Sequence, residues 1–403
     1  MPCNHCCIAP LRINRKPQYP TRSLVMTLPY NFSPGPAMLP PEVIEHIRAD
    51  LPEWHWHGIG QGASVMEVSH RGKAFEQLMA EAEADLRELL AIPANYQVIF
   101  MQGGAWAQFA AVPMNLLRSD ETAHYVVSGG WSKSASIEAA KFGRVEVVAS
   151  SESAGYTRVP ARNDWLSTYG INSAIRPIDE GASPSSYTYV CSNETVFGNE
   201  VHTLPEALAS PLVVDASSHF LSRPMDVAAC GLIYAGAQKN IGPAGVTVVI
   251  VRDDLLDRAP KNIPSVFHYK HMIEHKSLFN TPPVFSIYAT ALTLKWIKAQ
   301  GGLAEMERRA VARSTLLYDA IDNSELFNAP VEIADRSRMN VVFDTGNPDT
   351  DAAFVKFCDA RGLMSLKGHR VRGGMRASIY NAMPLAGVEA LVAAMREFEA
   401  TLA

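Results

Sequence analysis

The chain has 403 residues, 47% hydrophobic and 19% charged, with 36 basic against 41 acidic side chains and a formal charge of −5. That make-up belongs to an ordinary globular protein, long enough for one large domain and a smaller one, and it excludes collagen-like, disordered and disulfide-scaffold chains. No overall basic field points to nucleic acid, and no apolar run approaches the roughly 18 residues of a membrane span, so neither partner is expected.

The first 41 residues depart from the average, with four basic side chains (Arg12, Arg15, Lys16, Arg22) and no acid before Glu42. Residues 1–29 are expected to be a disordered extension outside the catalytic body. Their Cys3-Asn4-His5-Cys6-Cys7 cluster offers soft ligands but has no distant second half to close a tetrahedron, so no metal site is expected. Pro40-Pro41 opens a short helix, with proline tolerated in the first turn. Residues 73–91 carry Phe75, Leu78, Met79, Ala82, Leu86 and Leu89 on one face, which predicts an amphipathic helix. A strand over Gln97–Met101, a Gly103-Gly104 turn and a helix through Leu117 follow. Then come a strand at His124–Val127, a helix over Trp131–Phe142 and a strand at Val145–Ala149. Apolar β-rich runs recur at Tyr187–Cys191, Leu212–Asp215, Leu232–Ala235 and Val246–Val251. Short β runs separated by helices predict an α/β fold with a mainly parallel sheet covered on both faces. Two long helices are expected near 285–300 and 303–322. A smaller alternating unit follows, with strands at Met339–Phe343 and Arg376–Tyr380 and helices near 350–361 and from 386. The large domain is placed at 45–295 and the small domain at 30–44 with 296–403.

In an open α/β sheet, ligands gather at the carboxyl ends of the strands. Three strand ends here carry polar residues: Ser192-Asn193-Glu194-Thr195, Asp215 with Ser217-Ser218-His219, and Gln238-Lys239. An Asp and a Lys on nearby strand ends suit either an ion pair or a pyridoxal phosphate site. In the second case the lysine amine condenses with the aldehyde and the carboxylate keeps the pyridine nitrogen protonated. On those two residues alone the ion pair is the simpler reading. Two features favour the cofactor: Gly103-Gly104 exposes helix N-terminal amides that could receive a phosphate. Trp131 stands at another strand end, where an indole could stack on a flat ring, although taken by itself ordinary core packing is the simpler reading. Residues 360–388 contain no acid yet carry Arg361, Lys367, Arg370, Arg372, Arg376 and His369, a window suited to an anionic substrate.

These residues fall within longer motifs: Asn31-Phe-Ser-Pro-Gly-Pro-Ala37, Ser64-Val-Met-Glu-Val-Ser-His-Arg-Gly72, Tyr234-Ala-Gly-Ala-Gln-Lys-Asn-Ile-Gly-Pro-Ala-Gly245, Asn280-Thr-Pro-Pro283, Lys367-Gly-His-Arg370 and Gly373-Gly-Met-Arg-Ala-Ser-Ile-Tyr-Asn381. From about Tyr30 onward the sequence resembles the phosphoserine aminotransferases, within the class V pyridoxal-phosphate-dependent aminotransferases. The resemblance implies fold type I, with a seven-stranded sheet and a smaller C-terminal α/β domain. It implies pyridoxal 5'-phosphate as cofactor and transamination of 3-phosphohydroxypyruvate with glutamate in serine biosynthesis. Some members also act on 4-phosphohydroxythreonine in pyridoxine biosynthesis. Lys239 would be the Schiff-base lysine, Asp215 the pyridine-nitrogen partner, Trp131 the stacking ring and Thr195 the phenolic-oxygen partner. Gln238 and the backbone of Gly104, Ala105 and Trp106 would meet the phosphate, joined by Asn280 and Thr281 from the neighbouring subunit of a homodimer. Arg376 would hold the substrate α-carboxylate, and His70, Arg71, His369 and Arg370 would receive the side-chain phosphate or γ-carboxylate. Trp106 and Pro34 depart from the family pattern. A cysteine desulfurase would need a mobile nucleophilic cysteine, whereas Cys358 lies in a predicted helix. The scattered Cys191, Cys230 and Cys358 fit a reducing, cytoplasmic setting.

Overall fold

The computed structural model describes residues 29–60, 62–161, 185–205 and 210–402. The expectation for the N-terminal extension lies outside them, apart from residue 29. In chain order the main helices and sheet strands begin with α1 (Pro41–Asp50), α2 (Lys73–Leu90), β1 (Tyr96–Met101) and α3 (Gly104–Leu116). They continue with β2 (Thr122–Val127), α4 (Gly130–Ala139), β3 (Arg144–Ser150), β4 (Ser185–Cys191), β5 (Leu212–Asp215), β6 (Leu232–Gly236) and β7 (Thr247–Arg252). Next are α5 (Tyr269–Glu274), α6 (Val284–Ala299), α7 (Gly302–Asp322), β8 (Asn340–Phe343), α8 (Pro348–Asp359), β9 (Met375–Ser378) and α9 (Leu385–Ala400).

Seven strands form the central sheet in the order β1-β7-β6-β5-β4-β2-β3. Six run the same way, and β7 runs against both β1 and β6. This is the mainly parallel α/β sheet that the sequence predicts, with one strand reversed. Its inner strands read as continuous apolar runs because both faces are covered, whereas the edge strand β3 is largely exposed. Val248 and Ile250 join the layer holding Phe75, Leu78 and Leu86 of α2 and Ile287 and Leu294 of α6. Val249 and Val251 point the other way, into the layer with Phe109 of α3, Ala135 of α4 and Met272 of α5. α2 shows why amphipathic spacing alone understates a helix: its buried face also includes Asp85, which accepts from Lys298 (2.7 Å) and Lys295 (3.4 Å) on α6.

A third core gathers Phe32, Leu317, Phe343, Phe354 and Phe398 from the N-terminal segment, α7, β8, α8 and α9. β8 and β9 pair antiparallel here, and Tyr30–Asn31 pairs parallel with Leu363–Met364. The smaller unit therefore leans over the carboxyl ends of β4, β5 and β6, and brings β9 to them. Among the described residues no helix is long and apolar enough to cross a membrane.

Candidate active site

Three strand ends and two helix starts converge on a cavity of about 280 Å³. Lys239 lies just past β6, and its Nζ donates to Thr195 Oγ1 at 2.6 Å. No ion pair within 4.0 Å links Lys239 to Asp215 among the described residues, so the strand-end salt bridge is not what the fold builds. Asp215 ends β5, deeply buried, with Oδ1 accepting from Ser217 N at 2.9 Å. Burial pulls the Lys239 ammonium below its usual range, with Asp215 opposing, and pushes the Asp215 carboxyl up against the Ser217 hydrogen bonds. A lysine tuned downward is better placed to give and take a proton near neutral pH.

α3 begins at the cavity with Gly103 and Gly104 both at positive φ (94° and 65°), a turn that residues with a Cβ rarely make. No side chain caps this helix, leaving its first amides for an anion. Gln238 closes the same corner, its Nε2 standing 3.9 Å from where a Gly104 Cβ would lie. Trp131 forms one wall, with the Lys239 Nζ 5.6 Å from its ring centroid. Trp106 lines the cavity too, edge-on to Trp131 at 6.1 Å and 55% exposed.

Glu194 was singled out only as part of a strand end, yet it sets the position of Trp131. It is fully buried and accepts from Trp131 N (3.0 Å), Ser132 N (2.8 Å) and Ser132 Oγ (2.6 Å), capping α4 from another segment. A Cβ at Gly129 would fall 2.5 Å from the Glu194 Cδ, which explains the glycine there. The sequence signal was available: an acid at a strand end and a helix start with no cap of its own. Replacing Glu194 with Ala leaves two buried amides unpartnered and is expected to cost about 3 kcal/mol, read as a lower urea midpoint.

Behind the site, Ser192 Oγ lies 2.5 Å from His219 Nε2. Burial, helped by the Arg223 charge, takes His219 from 6.5 down to about 3. A depressed folded pKa means the associated stability is complete above pH 6.5 and is lost as pH falls toward 3, on the order of 5 kcal/mol over the full swing. The ring nitrogen shifts of His219 are expected to stay flat between pH 8 and 5; a midpoint near 6.5 would contradict this burial argument.

The basic window divides in two. Arg361 pairs with Glu397 (2.5 Å) and Arg372 with Asp344 (2.7 Å), so these two are neutralised by acids from outside the window. Arg376, on β9, is buried, reaches the Thr195 carbonyl only at 3.4 Å, and keeps its Nε without a partner. His369 lines the cavity beside it. Arg370 and Lys367 line a neighbouring hollow that shares His369. Besides Arg370, four further expected residues do not line the cavity of their own chain. Thr281 accepts from Gln102 through its carbonyl (3.1 Å), Asn280 lines a hollow with Gln102 and Gly103, and His70 and Arg71 precede α2.

A half-buried lysine, a buried carboxylate, an uncapped glycine turn and an indole wall at the carboxyl ends of a mainly parallel sheet define an aminotransferase-type site. The family model for aminotransferase class-V matches residues 29–391, and the chain belongs to that family. It is 51% identical to the phosphoserine aminotransferase of Nitrosomonas europaea over 92% of this chain and 98% of the relative. With that of Acidithiobacillus ferrooxidans it shares 50% over 92% and 97%. Among solved structures, the phosphoserine aminotransferase from Bacillus circulans subsp. alkalophilus superposes with a TM-score of 0.86 at 42% identity, covering 93% of this chain and 99% of that one. The PLP-bound phosphoserine aminotransferase from Trichomonas vaginalis gives 0.82 at 38%, covering 91% and 99%.

The residues present fit pyridoxal phosphate. The glycine turn and free α3 amides make a phosphate cradle, and the buried Trp131 Nε1 and Arg376 Nε have no protein partner.

Proposed function

We propose that the chain catalyses transamination between 3-phosphohydroxypyruvate and L-glutamate, giving O-phospho-L-serine and 2-oxoglutarate in serine biosynthesis. The observation that carries this is the gathering of Lys239, Asp215 and the unpaired Arg376 around one cavity. Bound pyridoxal phosphate supplies an aldehyde for the amino group and a ring that withdraws electrons from the substrate α-carbon. Lys239 would hold the cofactor at rest, and its freed amine would take up and hold the proton from the substrate α-carbon. Asp215 would keep a proton on the ring nitrogen, Thr195 would bond the phenolic oxygen and Trp131 would pack against the ring. The α3 amides of Gly104, Ala105 and Trp106, with Gln238, hold the phosphate. Arg376 takes the α-carboxylate and His369, with Arg370 beyond it, meets the distal anion.

The site is completed in a homodimer, in which Asn280 and Thr281 of one chain reach the cofactor phosphate of the other. The same arrangement lets His70 and Arg71 serve a cavity they do not line in their own chain. We place the enzyme in the cytoplasm, in keeping with three free, buried cysteines.

The test is a side-by-side assay of the purified protein with phosphoserine and with alanine as amino donor to 2-oxoglutarate. Turnover with phosphoserine is expected; turnover with alanine alone would sink the reading. Including 4-phosphohydroxythreonine tests the pyridoxine-pathway role. Arg376→Lys keeps a charge but loses the planar fork, and is expected to lower kcat/KM for glutamate about 100-fold with the larger part in KM.

A further inference from the structure

We infer that His271, Glu274 and His275 form a second, non-catalytic site that binds a divalent transition-metal ion of the zinc class. None of the three lines the active-site cavity. They follow the spacing His271-Met-Ile-Glu-His275 on and just past α5, which puts the two histidines four residues apart on one helix face. One ligand atom from each lies within 4.8 Å of the others. The imidazole rings are 4.3 Å apart by centroid, and His271 Nδ1 is 4.0 Å from Glu274 Oε2.

Three details argue that this is more than chance proximity. His275 Nδ1 bonds the His271 carbonyl at 2.9 Å; a carbonyl only accepts, so the proton sits on Nδ1 and the Nε2 lone pair is free to ligate. Phe279 stands edge-on to both rings, at 4.4 Å from His271 and 5.4 Å from His275, which limits their rotamers in advance of binding. His271 Nε2 is buried with no hydrogen-bond partner among the described residues, so no hydrogen bond at that nitrogen turns the ring away from Glu274 and His275. Two imidazoles and a carboxylate suit zinc, cobalt, nickel or copper better than calcium or magnesium, and three protein ligands leave a position for water. Lys270, the adjacent cation, is occupied by Asp257 at 2.7 Å and does not compete for Glu274 through an ion pair within 4.0 Å.

Location gives the site its consequence. From His275 the chain turns back through Lys276 and Ser277, and Ser277 Oγ accepts from Phe100 N (2.9 Å) on β1. Asn280 and Thr281 follow three residues later. An ion held by α5 and His275 therefore fastens the start of the segment that carries Asn280 and Thr281.

The full-length holoenzyme is dialysed to equilibrium against Zn²⁺, beside the His271→Ala/His275→Ala double variant and, as a control, His46→Ala. Wild type and control are expected to bind one equivalent more than the double variant, whatever the tail cysteines bind in all three. The single variants His275→Ala and Glu274→Gln, both at exposed positions, are expected to weaken that equivalent, by at least about 100-fold for His275→Ala. Zn²⁺ is expected to raise the Tm of wild type more than that of the double variant. With Cu²⁺ as probe, electron paramagnetic resonance is expected to show two imidazole nitrogens that the double variant lacks. Equal stoichiometry in wild type and double variant, or a Cu²⁺ spectrum indifferent to both histidines, overturns the proposal.

Discussion

Lys239→Ala is expected to lower transaminase kcat/KM by about 10⁴-fold, the upper end of what one positioned acid–base group contributes. The side chain does two jobs that no neighbour can take over. Its Nζ contacts the Thr195 hydroxyl and lies over Trp131, and among the described residues it has no ion-pair partner within 4.0 Å. Its loss therefore removes the only lysine amine that lines the cavity among the described residues. Because the lysine pKa is lowered by burial, the basic form is available closer to neutral pH than for a free lysine. Free primary amines such as methylamine are expected to restore part of the Ala variant's rate, since they can enter the space left and move the proton. Full turnover without added amine would remove Lys239 from the chemistry. The fold should survive, because Lys239 sits in a connection whose ladder ends do not depend on its side chain.

Asp215→Asn is expected to cost about 10²- to 10³-fold in kcat with little change in KM, the size of a fixed charge aimed at developing charge in a dry site. The substitution isolates the charge. Asn can still accept from Ser217 N, now 2.9 Å from Oδ1, and it keeps the volume at the end of β5. What is lost is the carboxylate that favours a protonated ring nitrogen. Cofactor content after dialysis is expected to remain, because in the proposed site the phosphate would be held by the α3 amides and Gln238 and not by Asp215. A variant with normal kcat, or one that simply loses cofactor, would move Asp215 from the chemistry to binding.

Much of the fold was legible because apolar runs report burial directly. Leu212–Asp215 falls on the predicted bounds, and the ends of most other strands and helices lie within two residues of them. Direction was not legible: a strand buried on both faces reads the same parallel or antiparallel, so the reversal of β7 had no signature in Val246–Val251. The gathering of the site was legible where strand ends carry distinctive residues, as for Lys239 and Asp215, which the structure brings to one cavity. It was less so where charge alone was read. Arg361 and Arg372 belong to the same acid-free window as Arg376, but Glu397 and Asp344, both outside it, neutralise them. Glu194 escaped because its partners lie 62 and 63 residues earlier. The His271-x-x-Glu-His275 spacing is present in the sequence, but it falls on a six-residue helix too short to announce itself by periodicity, so nothing local marks the two histidines as sharing a face.

The reversal of β7 has one more outcome. Gly236 pairs with Thr247, and Ala237 N bonds the Val246 carbonyl at 3.0 Å, so the connection bearing Lys239 is pinched shut at its base by a hairpin in the middle of the sheet. Local opening there would need β6 or β7 to unzip from neighbours on both sides. The amides of 232–236 and 247–251 are therefore expected to exchange with solvent only through global unfolding, so Lys239 is carried by the part of the molecule that fluctuates least.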